Sequence, residues 1–204
     1  MARYIIYGAG AIGSILGAEL SCTGQEVVLV ARPAHVQAIL RDGLQVKSKA
    51  AVRSIKIKAV IDLAQIHPGS DDRVLVTVKT QQTSLAAGQL TSVFPRNTIV
   101  ASLQNAVRNE EILTQGFERV YGGLVEFSGT FVSPGRVVHT RNDLVAIGNF
   151  PRGFDSHAES VAADLERAGF RVERSQDVMA IKWWKLKVVR PGLFAGGTVC
   201  APPS

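Results

Sequence analysis

The opening of the chain constrains the fold more than any other stretch of the sequence. A short apolar, β-prone run at residues 4–7 is followed at once by the glycine-rich motif Gly8-Ala9-Gly10-Ala11-Ile12-Gly13. In such a motif Gly8 allows the tight turn off a strand, Gly10 lets the backbone approach a pyrophosphate, and Gly13 lets a new helix lie close to the sheet. The unpaired N–H groups at the start of that helix then face the phosphates. The motif therefore predicts a strand, a turn and a helix, with its six residues binding a dinucleotide.

The residues after the motif favour a helix. Ile12, Leu16 and Leu20 recur every four residues and form an apolar face, and Gly24 stands where a C-terminal cap is expected. Because the chain contains 19 glycines, the spacing alone is weak evidence. An ordinary tight strand-to-helix turn without a ligand stays open as the alternative at this point.

The composition is that of a globular protein. The 204 residues are long enough for one full domain and part of a second, and 46% of them are hydrophobic against 20% charged. No apolar run approaches the roughly 18 residues that cross a bilayer, and the first residues lack the layout of a signal peptide. We therefore expect a cytoplasmic protein without a membrane partner.

Cysteine and histidine do not form a recognisable ligand set. Cys22 and Cys200 are too few for a disulfide framework, and no Cys/His cluster has metal-ligand spacing. We predict no metal site and a core position for Cys22 in the first helix. The scattered histidines, for which we predict surface or loop positions, are His35, His67, His139 and His157.

The formal charge of +6 suits an anionic partner, either a phosphate-bearing cofactor or a nucleic acid. The densest basic stretch lies within residues 43–61, which contain no acidic residue. There, Ile55 and Ile57 alternate with Lys56 and Lys58. This alternation is typical of a half-buried strand whose lysines protect a sheet edge. Because no nucleic-acid motif accompanies the charge, we predict no nucleic-acid partner.

Apolar runs and helical segments alternate through most of the chain. This alternation indicates an α/β fold with a doubly wound, mainly parallel sheet and right-handed crossovers. Residues 43–59 interrupt it as an antiparallel hairpin, and Ser133-Pro134-Gly135-Arg136 is typical of a type II turn between two strands. Further predicted strands lie at 26–31, 73–78, 98–103, 119–125, 143–148 and 170–173, and predicted helices at 33–41, 83–93, 108–115, 155–168 and from 175 onward.

Glycine or polar residues follow four of the predicted parallel strands, namely Gly8, Arg32, Lys79 and Asn105. In a doubly wound sheet, ligands bind beyond the carboxyl ends of the strands, so we expect these residues at one cofactor site. NAD sites carry an acidic residue about 20 positions beyond the glycines, whereas a 2′-phosphate calls for a cation. Arg32 occupies that position, and its guanidinium can hold a phosphate by paired hydrogen bonds. We therefore predict NADP(H) as the cofactor, with a solvated arginine as the alternative.

Several motifs follow one another in a specific order. They are the glycine motif, Arg32, Val78-Lys79-Thr80, Leu103-Gln104-Asn105-Ala106-Val107 and Trp184-Lys185-Leu186. In this order the chain resembles the ketopantoate reductases (2-dehydropantoate 2-reductases) over residues 3–188. The resemblance implies an N-terminal NADP-binding Rossmann domain, a helical C-terminal domain and an active site between them. It further implies the reduction of ketopantoate to pantoate with NADPH, in the route to pantothenate and coenzyme A.

The same resemblance implies roles for three residues. Lys185 takes the position of the general acid, which gives a proton to the keto oxygen as hydride arrives. Lys79 and Asn105 match positions near the cofactor and the reacting carbonyl. From the residues alone, Lys79 and Asn105 can equally be strand ends, and Lys185 an ordinary exposed lysine in a run with Lys182 and Lys187.

The sequence departs from that family after Lys185. The helix that follows the family's Lys-Leu motif usually carries asparagines, and the first such position falls on Val189. We assign residues 1–174 to the NADP-binding domain, 175–189 to the first helix of a helical domain that is otherwise missing, and 190–204 to an irregular tail. We expect a truncation or a shift of reading frame, with NADP(H) binding retained and reductase activity impaired because half of the cleft is lost.

Three functions stay open from the sequence. The first is NADPH-dependent reduction of ketopantoate. The second is a non-catalytic NADP(H)-binding module or sensor, and the third is a reductase of the same superfamily that acts on another 2-keto acid or an imine. In the reductase readings the partner is a small 2-keto acid, and an apolar patch of Trp183, Trp184 and Leu186 is expected to favour a homo-oligomer.

Overall fold

Strands and helices alternate along the chain, as the sequence predicts. The structure is a computed structural model that describes residues 2–141 and 143–189. Its strands in chain order are β1 Arg3–Tyr7, β2 Glu26–Val30, β3 Leu44–Lys47, β4 Val52–Ile55, β5 Lys58–Val60, β6 Asp72–Val76, β7 Ile99–Ser102, β8 Arg119–Val125, β9 Ser128–Ser133, β10 Arg136–Arg141, β11 Leu144–Asn149 and β12 Arg171–Arg174. Its helices are α1 Ala11–Cys22, α2 Pro33–Asp42, α3 Thr83–Thr91, α4 Asn109–Thr114, α5 Ser156–Arg167 and α6 Val178–Val189.

The main sheet has the strand order β12-β11-β8-β7-β6-β1-β2-β5. Every neighbouring pair in it is parallel except β8 and β11, which run antiparallel. Strand β1 is an interior strand of this sheet, with Ile5 opposite Val28 of β2 on one side and Val74 of β6 on the other. The predicted α/β fold with a doubly wound, mainly parallel sheet is therefore confirmed.

Both faces of the main sheet are buried, which explains the continuous apolar runs of its strands. On one face, Tyr4 and Ile6 belong to a core cluster that also contains the buried residues of α1 and α5. On the other face, Ile5 packs in a second cluster with Leu90 of α3 and Leu113 of α4. Successive residues of one strand thus serve two different cores.

A second, smaller sheet has the strand order β4-β3-β10-β9 and packs against α1. The predicted hairpin and the turn before Arg136 both belong to it, and both are confirmed. The predicted continuous strand through Ile55 and Lys58 is wrong. The chain leaves the small sheet after Ile55 and joins the edge of the main sheet at Lys58, where β5 pairs with β2.

Helix α6 packs against the antiparallel pair β8 and β11. Its first residue, Val178, is fully buried, and a Cβ added to Gly122 would lie 2.7 Å from a methyl carbon of Val178. A glycine in β8 therefore lets this helix approach the sheet closely. Trp183 and Trp184 project from the helix and are 51% and 56% exposed. The predicted tail at 190–204 lies outside the described residues.

Two predictions about individual residues are wrong. Cys22 is exposed, because it is the last residue of α1 and lies beyond the buried positions of that helix. His35 is buried, because α2 turns it toward α1 and the turn between β9 and β10. Cys200 lies outside the described residues. Among the helices of the described chain, none combines the length and hydropathy that a membrane span requires.

Candidate functional site

The glycine motif forms the turn between β1 and α1, and backbone contacts hold it in place. Gly8 has a φ of +103°, a region that favours glycine. The backbone N–H groups of Gly8 and Ala9 donate to the carbonyl oxygen of Val30 at the end of β2, over 3.1 and 3.0 Å. The Thr77 hydroxyl, just after β6, donates to the Gly8 carbonyl oxygen over 2.9 Å. The turn is therefore fixed between the ends of the two strands that flank β1.

The start of α1 can accept an anion. Gly10 caps the helix, and no described side chain bonds to the cap. The N–H groups of Ala11, Ile12 and Gly13 open the helix and have no partner within it. A Cβ added to Gly10 would find only the Gly8 carbonyl oxygen within 4 Å, at 3.9 Å, so the space beside it is open. Donors, helix dipole and open space together fit the diphosphate of a dinucleotide.

Three predicted site residues follow neighbouring strands at the same edge of the sheet. Arg32 follows β2 and caps the start of α2, Lys79 follows β6, and Asn105 follows β7. All three are exposed. Arg32 and Lys79 make no hydrogen bond or ion pair with any side chain that the structure describes. Their charges are therefore available to a ligand at this edge.

His35 connects the glycine turn to the small sheet, a contact that the sequence did not predict. The Gly135 N–H donates to Nδ1 of His35 over 2.8 Å, so the neutral ring carries its proton on Nε2. That nitrogen lies 3.1 Å from the Ser14 hydroxyl oxygen, and the same hydroxyl donates to the Ala9 carbonyl oxygen over 3.3 Å. Burial lowers the pKa of His35, and the charge of Arg32 lowers it further.

Lys185 lies at the same edge of the sheet, on α6. Its ammonium donates a hydrogen bond of 2.8 Å to the carbonyl oxygen of Val125, the last residue of β8. Strand β8 is the neighbour of β7, which Asn105 follows. Burial lowers the pKa of Lys185, and the nearby Glu126 carboxylate partly opposes that shift.

The three lysines of α6 have different surroundings. Lys182 is fully buried and forms an ion pair with Glu110 of α4, whereas Lys187 is exposed. Lys185 is half-buried and reaches the end of a central strand. Of these three, Lys185 is therefore the one that is partly accessible and reaches the carboxyl edge of the sheet.

A series of hydrogen bonds between buried polar side chains connects the segments that follow β6 and β7. Gln104 donates from Nε2 to the Val78 carbonyl oxygen over 2.8 Å and to the Thr83 hydroxyl over 2.9 Å. Thr83 in turn donates to Oδ1 of Asn109 over 2.9 Å, and Asn109 donates back to the Ala106 carbonyl oxygen over 3.3 Å. These bonds fix the backbone beside Lys79 and Asn105.

Sequence reasoning missed this series of hydrogen bonds and the ion pair of Lys182 with Glu110. Gln104 follows a strand and Asn109 begins a helix, and polar residues at such positions are usually solvated, so neither gives a signal of burial. Lys182 does give one, because it lies four residues after the buried Val178 and hence on the same face of α6. Within residues 2–141 and 143–189, no cluster of three or more His, Cys, Asp or Glu side chains could hold a metal ion.

The comparison with protein families gives one match that covers most of the chain. The family described as "Ketopantoate reductase PanE/ApbA" matches residues 4–152. A 2-dehydropantoate 2-reductase of Pyrococcus horikoshii is 32% identical over 183 residues, which are 90% of this chain and 59% of that protein. The chain therefore spans about three fifths of the length of such relatives.

Solved structures show the same similarity. A PanE/ApbA family ketopantoate reductase from Ralstonia eutropha superimposes with a TM-score of 0.82 and 34% identity, over 90% of this chain and 60% of that one. A D-mandelate dehydrogenase, solved with NADH and anilino(oxo)acetate, superimposes with a TM-score of 0.80 and 26% identity. That likeness also covers 90% of this chain and 60% of the other.

Proposed function

The chain belongs to the ketopantoate reductase PanE/ApbA family, and on that premise we propose that it binds NADP(H) and reduces a 2-keto acid. The substrate that we propose is ketopantoate, and the product is pantoate, in the route to pantothenate and coenzyme A. One observation carries the proposal: the ammonium of Lys185 lies 2.8 Å from the last carbonyl oxygen of β8, at the edge where the glycine turn and the exposed Arg32 also lie.

The carboxyl edge of the sheet supplies the groups that a phosphorylated dinucleotide needs. We propose that Gly8, Ala9, Gly10, Ala11, Ile12 and Gly13 hold the diphosphate against the start of α1. Arg32 would bind the 2′-phosphate, because its guanidinium is exposed and has no described ion-pair partner. Lys79 and Asn105, which follow β6 and β7, would contact the nicotinamide half. When bound, the reduced nicotinamide supplies a hydride.

Lys185 would act as the proton donor. Its ammonium can bind the keto oxygen, stabilise the negative charge that develops there, and then transfer its proton. Burial lowers the pKa of Lys185 and so makes that transfer easier. Asn105 follows the neighbouring strand and would orient the same carbonyl. This proposal assigns residues 1–174 to cofactor binding and 175–189 to the helix that carries the proton donor.

A second substrate class has support from one structural neighbour. The D-mandelate dehydrogenase was solved with an oxo acid that carries an aromatic ring, and with NADH in place of NADPH. The keto acid that corresponds to mandelate is therefore a second candidate substrate for this chain. For the cofactor we keep NADP(H), because Arg32 suits a 2′-phosphate better than a free ribose hydroxyl pair.

Turnover of the purified chain tests the proposed function. Oxidation of NADPH is followed with ketopantoate, with the keto acid of mandelate, and with no keto acid. We expect ketopantoate-dependent oxidation that is slow, in keeping with the impaired activity expected from the sequence, and that is abolished in Lys185→Met and retained in the control Lys187→Met, with NADPH affinity retained in both. Saturable NADPH binding without reduction of either keto acid would instead support a cofactor-binding module, and retained turnover in Lys185→Met would show that the proton donor is another residue.

A further inference from the structure

A buried ion pair links two elements of the candidate site and has no part in the proposed chemistry. Lys182 of α6 and Glu110 of α4 both have side chains that are 0% exposed, and the Lys182 ammonium donates to Oε1 of Glu110. The other carboxylate oxygen, Oε2, has no partner among the described residues. Neither group can reach a substrate in solution, so the pair acts on its surroundings.

On one side, the pair is tied to the loop that carries Asn105. Glu110 directly follows Asn109, whose side chain donates to the Ala106 carbonyl oxygen and accepts from the Thr83 hydroxyl. Ala106 is the neighbour of Asn105. The first turn of α4 therefore has a fixed position relative to that loop.

On the other side, the ion pair shares helix α6 with the proposed proton donor, Lys185. Lys182 and Lys185 are three residues apart in α6, so they lie on the same face of the helix one turn apart. Fixing the Lys182 ammonium fixes the rotation of α6 about its axis, and thereby the direction in which Lys185 leaves the helix. Lys185 then meets the carbonyl oxygen of Val125.

Stability alone does not account for charged residues at these positions. A buried ion pair is often no more stabilising than apolar residues of similar volume, because both charges lose their hydration. Burial lowers the pKa of Lys182, and the Glu110 carboxylate opposes that shift. The ion pair instead restricts how the two helices are oriented, because a charged hydrogen bond depends on the angle between its groups and apolar packing does not.

We infer that Lys182 and Glu110 are positioning residues, whose ion pair holds the helix that carries Lys185 in a fixed orientation to the loop that carries Asn105. This inference rests on the proposed function for the task that Lys185 performs. It concerns two residues that do not touch the substrate or the cofactor.

The reactivity of Lys185 toward an amine reagent tests the inference. The folded chain, without cofactor or substrate, is labelled with acetic anhydride at a series of pH values, and the extent of labelling at Lys185 is read by mass spectrometry. The test variant carries Lys182→Met and Glu110→Met together, which removes both charges and leaves no unpaired one. The control is Lys187→Met, on the same helix.

We expect the double variant to unfold near the same denaturant concentration as the unmodified chain. In its labelling profile, however, Lys185 should show a higher pKa and, once deprotonated, a faster reaction with acetic anhydride. The pKa rises because a helix that is free to rotate exposes the ammonium to water. Lys187→Met should leave the labelling profile of Lys185 unchanged. Glu110→Gln, which keeps the shape of the side chain, is a second variant for the case that the double variant does not fold, and should move the profile in the same direction by less.

An unchanged Lys185 profile in the folded double variant, or in Glu110→Gln if the double variant does not fold, would overturn the inference. If ketopantoate is turned over, kcat should fall in the double variant while the affinity for NADPH stays the same. A chain that oxidises NADPH with neither ketopantoate nor the keto acid of mandelate overturns the proposed function, whereas the labelling profiles decide the positioning role without any turnover.

Discussion

The glycine turn with α1 and the lysine-bearing helix α6 meet the same edge of the sheet, but they are held there in different ways. Helix α1 lies between the main sheet and the small sheet, and the turn before it is bonded through backbone groups to the ends of β2 and β6. Helix α6 packs against β8 and β11 and leaves Trp183 and Trp184 about half exposed. The comparison shows that the proposed cofactor half of the site depends on backbone geometry, whereas the lysine half depends on a few side-chain contacts.

The largest loss of stability is expected when the ion pair between Lys182 and Glu110 is broken. Lys182→Met alone leaves the Glu110 carboxylate buried without its partner, so we expect the free energy of unfolding to fall by about 3–5 kcal/mol. Denaturant unfolding measures this loss, and Lys187→Met serves as the exposed control. A loss no greater than that of the control would contradict the stabilising contact between Lys182 and Glu110.

The glycine half should respond to a single methyl group. In Gly13→Ala the new Cβ would lie 2.8 Å from the Gly8 carbonyl oxygen and 2.5 Å from the Thr77 hydroxyl oxygen. We expect a loss of about 1–3 kcal/mol in the free energy of unfolding, together with weaker NADPH binding.

Gly88→Ala in α3 is the matched control, because nothing lies within 4 Å of a Cβ at that helical position. That change should stabilise the protein by about 0.5–1 kcal/mol. Equal effects of the two glycine substitutions would contradict the close packing of α1 on the sheet.

Arg32→Ala separates cofactor choice from cofactor binding. Removing a charged hydrogen-bond donor to a phosphate costs about 1.5–3 kcal/mol, so we expect NADP affinity to fall by roughly 10- to 100-fold. NAD affinity should change little, because NAD lacks the 2′-phosphate. Fluorescence titration with each nucleotide measures both, and Arg41→Ala, on the same helix but paired with Asp42, should leave both affinities unchanged. Equal losses for NADP and NAD would remove the reason to prefer NADP.

The smallest effect concerns pH and falls on the glycine half. Burial lowers the pKa of His35 below its ordinary value of about 6.5, so the unfolded chain binds a proton at that residue more readily than the folded chain does. The contribution of His35 is therefore fully present above about pH 6.5 and is lost as the pH falls toward the lowered value.

In His35→Gln the decline in unfolding free energy between about pH 7 and about pH 5 should be shallower than in the unmodified chain. His67→Gln, at an exposed position, is the control and should reproduce the unmodified slope. Identical slopes for all three proteins would mean that His35 titrates alike in the folded and unfolded states.

The sequence predicted the main sheet well because its signals are local. Each buried strand is a continuous apolar run, the glycine motif marks the first turn, and Pro33 marks the start of α2. The small sheet was predicted only in parts. Its parallel pairing places Val46 of β3 opposite Val137 of β10, and no short-range pattern links two strands so far apart in the chain.

The candidate site, too, has residues that the sequence could place and others that it could not. The positions of Gly8, Arg32, Lys79 and Asn105 follow from where strands end, so the sequence could place them at one edge. The buried polar residues near these positions could not be predicted, because Gln104, Asn109 and Glu110 are polar types that usually face water. Their burial follows from the contact of α4 with α3 and α6, which only the folded chain shows.

Titration of the unmodified chain with NADPH tests the central claim most directly, because both halves of the proposed site are organised around that nucleotide. The fluorescence of the bound nucleotide is followed to saturation, and NADP and NAD are then added as competitors. The account predicts saturable binding of one nucleotide per chain, with NADP displacing it at lower concentration than NAD. An absence of saturable binding, or displacement by NAD at the lower concentration, would contradict it.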